Sequence, residues 1–247
     1  MEFKEPKVNT RAATGVLLTE PLHQRAALRL RDLVVEGRLR PGEAISEKDL
    51  CDEFGISRTP LREALKILSF EGLIQLLPRR GAIVAPIVTE QLQQKFEVVR
   101  VLEDFAVKLM CERASDAQIA ELKAVHKRLV DAVKRGDSNF VQLNDEFHDV
   151  IMRSSGNQSL LEVHAPLWQH LRRVRQLALN VEDVSRGYVQ AVDRLMKAIS
   201  KRDSAAAVKE MEARWEIAAR VIASWAGPAN HPSVGRVTWQ SKPRGVK

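Results

Sequence analysis

Cysteine is nearly missing from this 247-residue chain: only Cys51 and Cys111 occur. Neither lies in a CxxC or similar spacing, which excludes a disulfide framework and a thiolate zinc site. Two reduced thiols suit the cytoplasm. No apolar run approaches the roughly 20 residues of a membrane helix, so no membrane partner is expected. The opening residues Met1-Glu2-Phe3-Lys4-Glu5-Pro6 are polar and lack a signal-peptide core. Internal repeats and low-complexity blocks are absent. So are GxSxG, HExxH and Walker-type loops, and with them any evident enzyme chemistry. None of the six histidines pairs with another at metal-ligand spacing. What remains is 45% hydrophobic and 29% charged, the make-up of a soluble globular protein of one large or two ordinary domains.

The formal net charge of +7 hints at a polyanionic partner, but its distribution is more informative. Residues 1–90 carry a net +1, residues 91–226 a net +2 and residues 227–247 a net +4. Inside the first segment, residues 43–53 carry −4 and residues 54–85 carry +3. The early part of the chain is therefore bipolar.

Residues 1–20 read as a mobile arm and residues 227–247 as a basic, disordered tail. Between them, residues 21–87 and 88–226 form two units. In the first, Leu22, Ala26, Leu28, Leu30, Leu33 and Val34 predict a helix with one apolar face. Ser46 caps a second helix, which Gly55 ends. Ser57 opens a third, with Pro60 in its first turn and Leu61, Leu65, Leu68 and Phe70 as its apolar contacts. The period then changes. Leu73 to Pro86 is two short apolar runs around Pro78-Arg79-Arg80-Gly81, a β-hairpin pattern. Two short helices, a tight turn and a hairpin predict a winged helix-turn-helix.

The third helix carries the features that DNA reading requires. Arg58, Arg62 and Lys66 recur every four residues and line one polar stripe. Ser57 and Thr59 place hydroxyls at its N-terminus, where backbone N–H groups favour a phosphate. Arg79, Arg80 and Gly81 put two cations and a close backbone approach at the hairpin tip. The plain alternative is a solvated basic face on an ordinary helix.

From Thr89 to Trp225 the chain reads helical throughout. Ser115 with Gln118 forms a capping box, Pro166 bends a long helix, and Asp203 caps the last one. Val208, Met211, Trp215, Ala218 and Ile222 form a stripe on that last helix. His164 and His170 read as structural or solvent-facing, and the tryptophans as core. The fold class expected is mainly α: a winged helix-turn-helix followed by a bundle of six or seven helices.

Leu39-Arg40-Pro41-Gly42, Ser46 to Leu50, Phe54 to Leu65, Glu71-Gly72-Leu73 and Arg79-Arg80-Gly81 together resemble the N-terminal domain of the GntR family of bacterial transcription regulators. The string Ser57-Arg58-Thr59-Pro60-Leu61-Arg62-Glu63-Ala64-Leu65 is the most specific part. By that resemblance Arg58 and Arg62 contact bases and phosphates, Ser57 and Thr59 contact DNA at the helix start, Lys48 meets a phosphate, and Arg80 with Gly81 forms the wing tip. The second unit resembles the FadR branch, whose all-helical, FCD-type domain binds a small effector. Phe96 to Glu103, Asn144 to His148, Ser155-Gly156-Asn157 and Ala198 to Asp203 carry that likeness.

Many members of that branch hold a divalent metal with an Asp, a His one turn later and two further His. Here those positions fall on Asn144, His148, Val192 and Arg214. Val offers no lone pair and Arg opposes a cation, so neither metal nor other cofactor is expected. Arg100 matches an Arg near the family's pocket. The expectation is that Arg100, Asn144, His148 and Arg214 bind an anionic organic ligand directly. For His148 the alternative is a buried, hydrogen-bonded structural histidine. For the domain it is a long apolar ligand of the acyl-CoA type. The functional expectation is a cytoplasmic homodimer that binds double-stranded DNA at a pseudo-palindromic operator, a repressor under effector control. A non-specific DNA-architectural protein is the rival from another class.

Overall fold

The structure is a computed structural model that describes residues 20–178 and 185–225. The expected arm, apart from Glu20, and the whole of the expected tail lie outside the described residues. The first unit begins with helix α1 (Leu22–Val35). Ala26, Ala27, Leu30, Leu33, Val34 and Val35 are its buried residues. Leu22 and Leu28, expected on the same face, are instead exposed. Leu22 is the first residue of the helix, and Leu28 lies on the side away from Leu30 and Leu33.

Helix α2 (Glu47–Phe54) starts where the Ser46 hydroxyl accepts from the Asp49 N–H at 3.3 Å. Gly55 ends it with φ +65°, and open space surrounds the position of a would-be Cβ. Glycine is needed there for backbone conformation rather than for room. Helix α3 (Arg58–Phe70) follows. Leu61, Leu65 and Leu68 are fully buried with Ala64 against α1. Burying each leucine contributes about 1.5–3 kcal/mol. Phe70 departs from the expectation: it is 96% exposed.

The hairpin has strands β2 (Ile74–Leu77) and β3 (Gly81–Val84), antiparallel, with Leu77 opposite Gly81. A third strand, β1 (Ala44–Ile45), pairs with the free edge of β3 and makes the sheet order β1-β3-β2. Two residues are too few to show alternation, so only pairing with β3 reveals this strand.

Six helices follow among the described residues. They are α4 (Thr89–Arg113), α5 (Asp116–Arg135), α6 (Phe140–Ser154), α7 (Gln158–Ala178), α8 (Ser185–Ser200) and α9 (Ser204–Trp225). The Ser115–Gln118 capping box opens α5, and the Asp203 carboxylate accepts from the Ala206 N–H at 3.0 Å. Helix α7 runs through Pro166 without ending. A second core joins Phe96, Val99, Met110, Leu122, Phe147, Leu195 and Trp215 from five of these helices. Ile222 and Trp225 have side chains outside the described set.

The two cores meet along α7. His170 Nε2 lies 2.8 Å from the Glu71 carbonyl oxygen, and Arg173 Nη2 donates to the Ala85 carbonyl at 2.5 Å. The joint is thus made by side chains of α7 on the backbone that enters and leaves the β2–β3 hairpin.

Candidate functional site

Two sites emerge, one on the surface of the first unit and one buried in the second. The surface site is built by the α2–turn–α3 corner and the hairpin tip. Ser57, Arg58, Thr59, Arg62, Lys66, Lys48, Arg79, Arg80 and Gly81 are all exposed. Ser57 precedes α3 with an extended backbone and its hydroxyl makes no cap bond. The first amides of α3 and that hydroxyl are left to meet an external acceptor.

The cations differ in readiness. Among the described residues Lys48, Arg58, Arg79 and Arg80 make no ion pair. Arg62 Nε donates to Glu47 Oε2 at 2.9 Å, and Lys66 Nζ donates to Glu63 at 2.8 Å. The Lys66 hydrogen bond and charge hold the Glu63 carboxyl below its ordinary range. An external anion would have to displace a carboxylate to reach Arg62 or Lys66, whereas the other four cations are open to one directly.

The hairpin tip stores backbone strain. Arg79 has φ +61° and Gly81 has φ +81°. A non-glycine residue in the left-handed region costs about 1–2 kcal/mol. The turn accepts that cost and thereby carries an arginine where glycine would be easier.

The buried site centres on Arg214, which is only 4% exposed. Its Nη2 donates to Asn144 Oδ1, to His148 Nε2 and, at 3.2 Å, to the Tyr188 hydroxyl. Tyr188 donates in turn to Asn144 Oδ1. On its far side His148 Nδ1 is 2.5 Å from Glu103 Oε2, and Glu103 Oε1 is 2.9 Å from His164 Nε2. Chemistry assigns the tautomer. A guanidinium only donates, so His148 Nε2 must accept, and Nδ1 carries the hydrogen it gives to Glu103.

The electrostatics agree with that assignment. Burial and then the Arg214 charge depress the His148 pKa to about 3, against the pull of Glu103. The imidazole is therefore neutral. Burial opposes ionisation of Glu103, but the close contacts of its carboxylate with His148 and His164 outweigh it, the neutral His148 contributing through its Nδ1–H. They hold its carboxyl well below the usual range. A carboxylate and a guanidinium thus balance each other through one neutral imidazole. Trp168 packs on His148 with ring centroids 4.3 Å apart and Trp215 at 5.8 Å, which keeps water from the relay.

The guanidinium is not saturated. Among the described residues Arg214 Nε has no hydrogen-bond partner, and Nη1 meets only the Met211 sulfur at 3.9 Å. A sulfur is a weak acceptor, so a second acceptor could bind at those nitrogens.

A metal does not fit this site. The lone pair that His148 Nε2 would give a cation already receives an Arg214 N–H. Val192, at the aligned third ligand position, is buried aliphatic core. Among the described residues no group of three or more His, Cys, Asp or Glu side chains is disposed to hold a metal.

The structure brings Asn144, His148 and Arg214 together, as the sequence suggested, but it places Arg100 elsewhere. Arg100 is 35% exposed by its side chain and pairs with Glu212 at 3.5 Å and Glu216 at 3.8 Å. Arg100 lies at the outer α4–α9 seam, so it is no part of the buried cluster. Glu103, Tyr188 and His164 are members that sequence reasoning passed over. Glu103 did leave a trace. It interrupts an apolar face formed by Phe96, Val99, Ala106, Val107 and Met110 on α4. A lone acid on such a face implies a buried partner. Tyr188 left no trace.

These two features define a protein with a winged helix-turn-helix ahead of a helical sensing-type bundle. The family description "Bacterial regulatory proteins, gntR family" matches residues 22–84, and "FCD domain" matches residues 94–216. The chain belongs to the GntR family, with an FCD C-terminal domain.

It is similar to the Nta operon transcriptional regulator of Aminobacter aminovorans, 32% identical over 58% of this chain and 68% of that protein. The gluconate operon transcriptional repressor of Bacillus licheniformis is 30% identical over 68% of this chain and 64% of its own length. An uncharacterised HTH-type regulator, YdhC of Bacillus subtilis, aligns over 59% of its length. The chain thus spans about three fifths of some curated relatives it matches. Its fold is similar to that of E. coli McbR/YncC, with TM-score 0.76 and 22% identity over 85% of this chain and all of that one. A regulator from Rhodococcus sp. RHA1 superposes with TM-score 0.68 at 22% identity, over 81% of this chain and 97% of that one. The family and these relatives are transcription regulators rather than enzymes. No helix among the described residues is long and apolar enough to cross a membrane.

Proposed function

We propose that this protein is a sequence-specific transcription regulator of the FadR branch, a repressor whose DNA affinity is set by a small organic anion. The observation that carries the reading is the pairing of two features in one chain. One is an exposed corner and hairpin tip with four cations that make no ion pair among the described residues. The other is a buried guanidinium with an unpartnered Nε. Bidentate Arg contacts to guanine supply about 1–3 kcal/mol of discrimination each, and Arg58 stands ready for one. In the bundle, Arg214 takes the effector carboxylate on the side away from His148, without a metal. Such a charge-assisted pair in a dry site is strong and directional.

A second copy completes the reader. Val98, Val101 and Phe105 are exposed at i, i+3 and i+7 spacing on α4, with Val101 65% exposed. A stripe of that kind on a long helix suits an isologous helix-on-helix contact. Two recognition helices then read two half-sites of a pseudo-palindrome.

The test of the DNA reading is a mobility-shift titration at fixed salt on operator and random DNA. Arg58→Ala abolishes the preference for operator; unchanged specific affinity would refute the assignment. The test of the effector reading is a thermal-shift screen of short mono- and dicarboxylates on metal-free protein. Stabilisation that survives Arg214→Met, or that requires added metal, would refute it.

A further inference from the structure

A cleft of about 720 Å³ lies between the two units and is separate from the Arg214 cluster. One wall is the α3–β2 corner and the hairpin strand, with Phe70, Gly72, Leu76 and Leu77. The opposite wall is α4 and α7, with Val88, Lys95, His170 and Arg173. The volume falls within the range of small-molecule sites.

Its chemistry is lopsided. Phe70, Leu76 and Val88 stand exposed on the rim, an apolar surface that folding has left in water. At the base sits Arg173, 2% exposed and among the most buried large side chains of the chain. It has one hydrogen bond, from Nη2 to the Ala85 carbonyl, and its Nε has no partner. No carboxylate pairs with it among the described residues. A buried guanidinium without a counter-charge is costly, and folded proteins ordinarily avoid one.

The other titratable groups around the cleft are Lys95, His170 and Glu71. Glu71 is unavailable, because Arg31 holds both its oxygens at 2.9 and 2.5 Å. Lys95 and Arg173 therefore face the cleft uncompensated. Both also oppose protonation of His170, whose pKa is lowered first by burial.

We propose that this interdomain cleft is a second ligand site, for an amphipathic organic anion. A carboxylate or phosphate head pairs with Arg173 and Lys95. An aliphatic tail covers Phe70, Leu76 and Val88. The ligand touches both units at once, so it clamps the winged domain onto α4 and α7 in the arrangement described above. By linkage, an anion that favours this arrangement changes operator affinity, and operator DNA changes its affinity by the same factor. This site is independent of Arg214.

The experiment uses the full chain and four probes: decanoate, decyl phosphate, decanol and inorganic phosphate. At hundredfold saturation the amphipathic anions raise the wild-type unfolding midpoint by about 5–10 °C. Decanol and inorganic phosphate do not, because each supplies one half of the required chemistry. Whichever of decanoate and decyl phosphate acts at lower concentration identifies the head group.

Arg173→Met removes the response while leaving or raising the unliganded midpoint, since it replaces an unpaired buried charge by an apolar chain of similar length. Val88→Trp fills the cleft from its rim and weakens the response at least tenfold, and it keeps the test decisive should Arg173→Met fail to fold. Arg214→Met leaves the response intact. A wild type indifferent to both amphipathic anions overturns the proposal. So does equal stabilisation by decanol, a response kept in Val88→Trp, or one lost in Arg214→Met and kept in Arg173→Met. Cleft binding that appears only after deletion of residues 1–19 also overturns it, since the cleft then belongs to the chain's own N-terminal segment.

Discussion

Replacing Arg214 by Met tests whether this guanidinium is the cation that balances Glu103. Methionine keeps much of the volume and the apolar stem but removes the charge and the donors to His148, Asn144 and Tyr188. At about pH 8 the Glu103 carboxylate is then left buried without the guanidinium that balanced it through His148. Breaking a buried pair in this way costs about 3–5 kcal/mol. For a chain of this size that corresponds to a drop of about 6–20 °C in the unfolding midpoint.

The pH dependence separates this account from simple loss of packing. In the wild type the folded His148 pKa is held at about 3, below its ordinary 6.5. The unfolded chain therefore takes up a proton first. Stability is lost as the pH falls below about 6.5, with a slope of up to about 1.4 kcal/mol per pH unit. Without Arg214 one cause of that depression is gone and Glu103 pulls the pKa up. A protonated His148 then re-pairs with Glu103 as the solution is acidified. The gap between variant and wild type is thus widest near pH 8 and narrows towards about pH 5. Circular-dichroism melts across that range measure the gap. A titration of the His148 ring proton by NMR shows the imidazole responding only in the variant. Asp104 titrates in both proteins and cancels in the difference. A gap that stays constant with pH, or a variant as stable as wild type at pH 8, would refute the relay.

Three further outcomes follow from the same geometry. Glu47→Gln releases Arg62 from its 2.9 Å partner and raises affinity for random DNA several-fold, with a steeper salt dependence in a fluorescence-anisotropy titration; unchanged binding means Arg62 does not reach phosphate. Asp104 has a pKa raised to about 7 by burial, which Arg100 opposes and Glu212 and Glu103 reinforce. The folded chain keeps that proton longer than the unfolded one, so Asp104 makes stability fall as pH rises from about 4 to 7. Asp104→Asn flattens that decline and melts higher than wild type at pH 8; a variant that melts lower there contradicts the assignment. Val101→Glu tests the proposed α4 contact between two copies: the wild type sediments as a dimer and the variant as a monomer, with helix content unchanged; a monomeric wild type or a dimeric variant refutes that contact.

Much of the DNA-reading unit was legible before any coordinates. Ser46, Gly55 and Ser57 punctuate the helices by local chemistry, and the Leu61-Leu65-Leu68 spacing is a local period. Each such signal acts over a few residues, so a linear reading recovers it. Phe70 was misjudged for the complementary reason. It is apolar and near the stripe, but the face it occupies opens onto the interdomain cleft, which no local pattern records. The two-residue strand β1 was missed because it exists only through pairing with β3, some forty residues away.

The buried cluster shows the same division more sharply. His148 one turn after Asn144 and the odd Arg214 were visible as residues out of pattern, and all three do converge. Arg100 was grouped with them by position in a likeness, and the α4–α9 seam turns it outward to Glu212 and Glu216. Glu103 and Tyr188 enter from α4 and α8, and only packing brings them to the same few ångströms.

The sequence by itself thus determined the order of the helices and the hairpin, several caps and turns, and the polar stripe of α3. It did so because capping, left-handed turns and helical periodicity are short-range effects. Tertiary structure decided which charges are paired and which are not. Among the described residues Arg62 is held and Arg58 makes no ion pair, Arg214 is balanced through His148, and Arg173 is buried with no counter-charge. Pairing depends on distance and on the removal of water, and both are set by segments far apart in the chain.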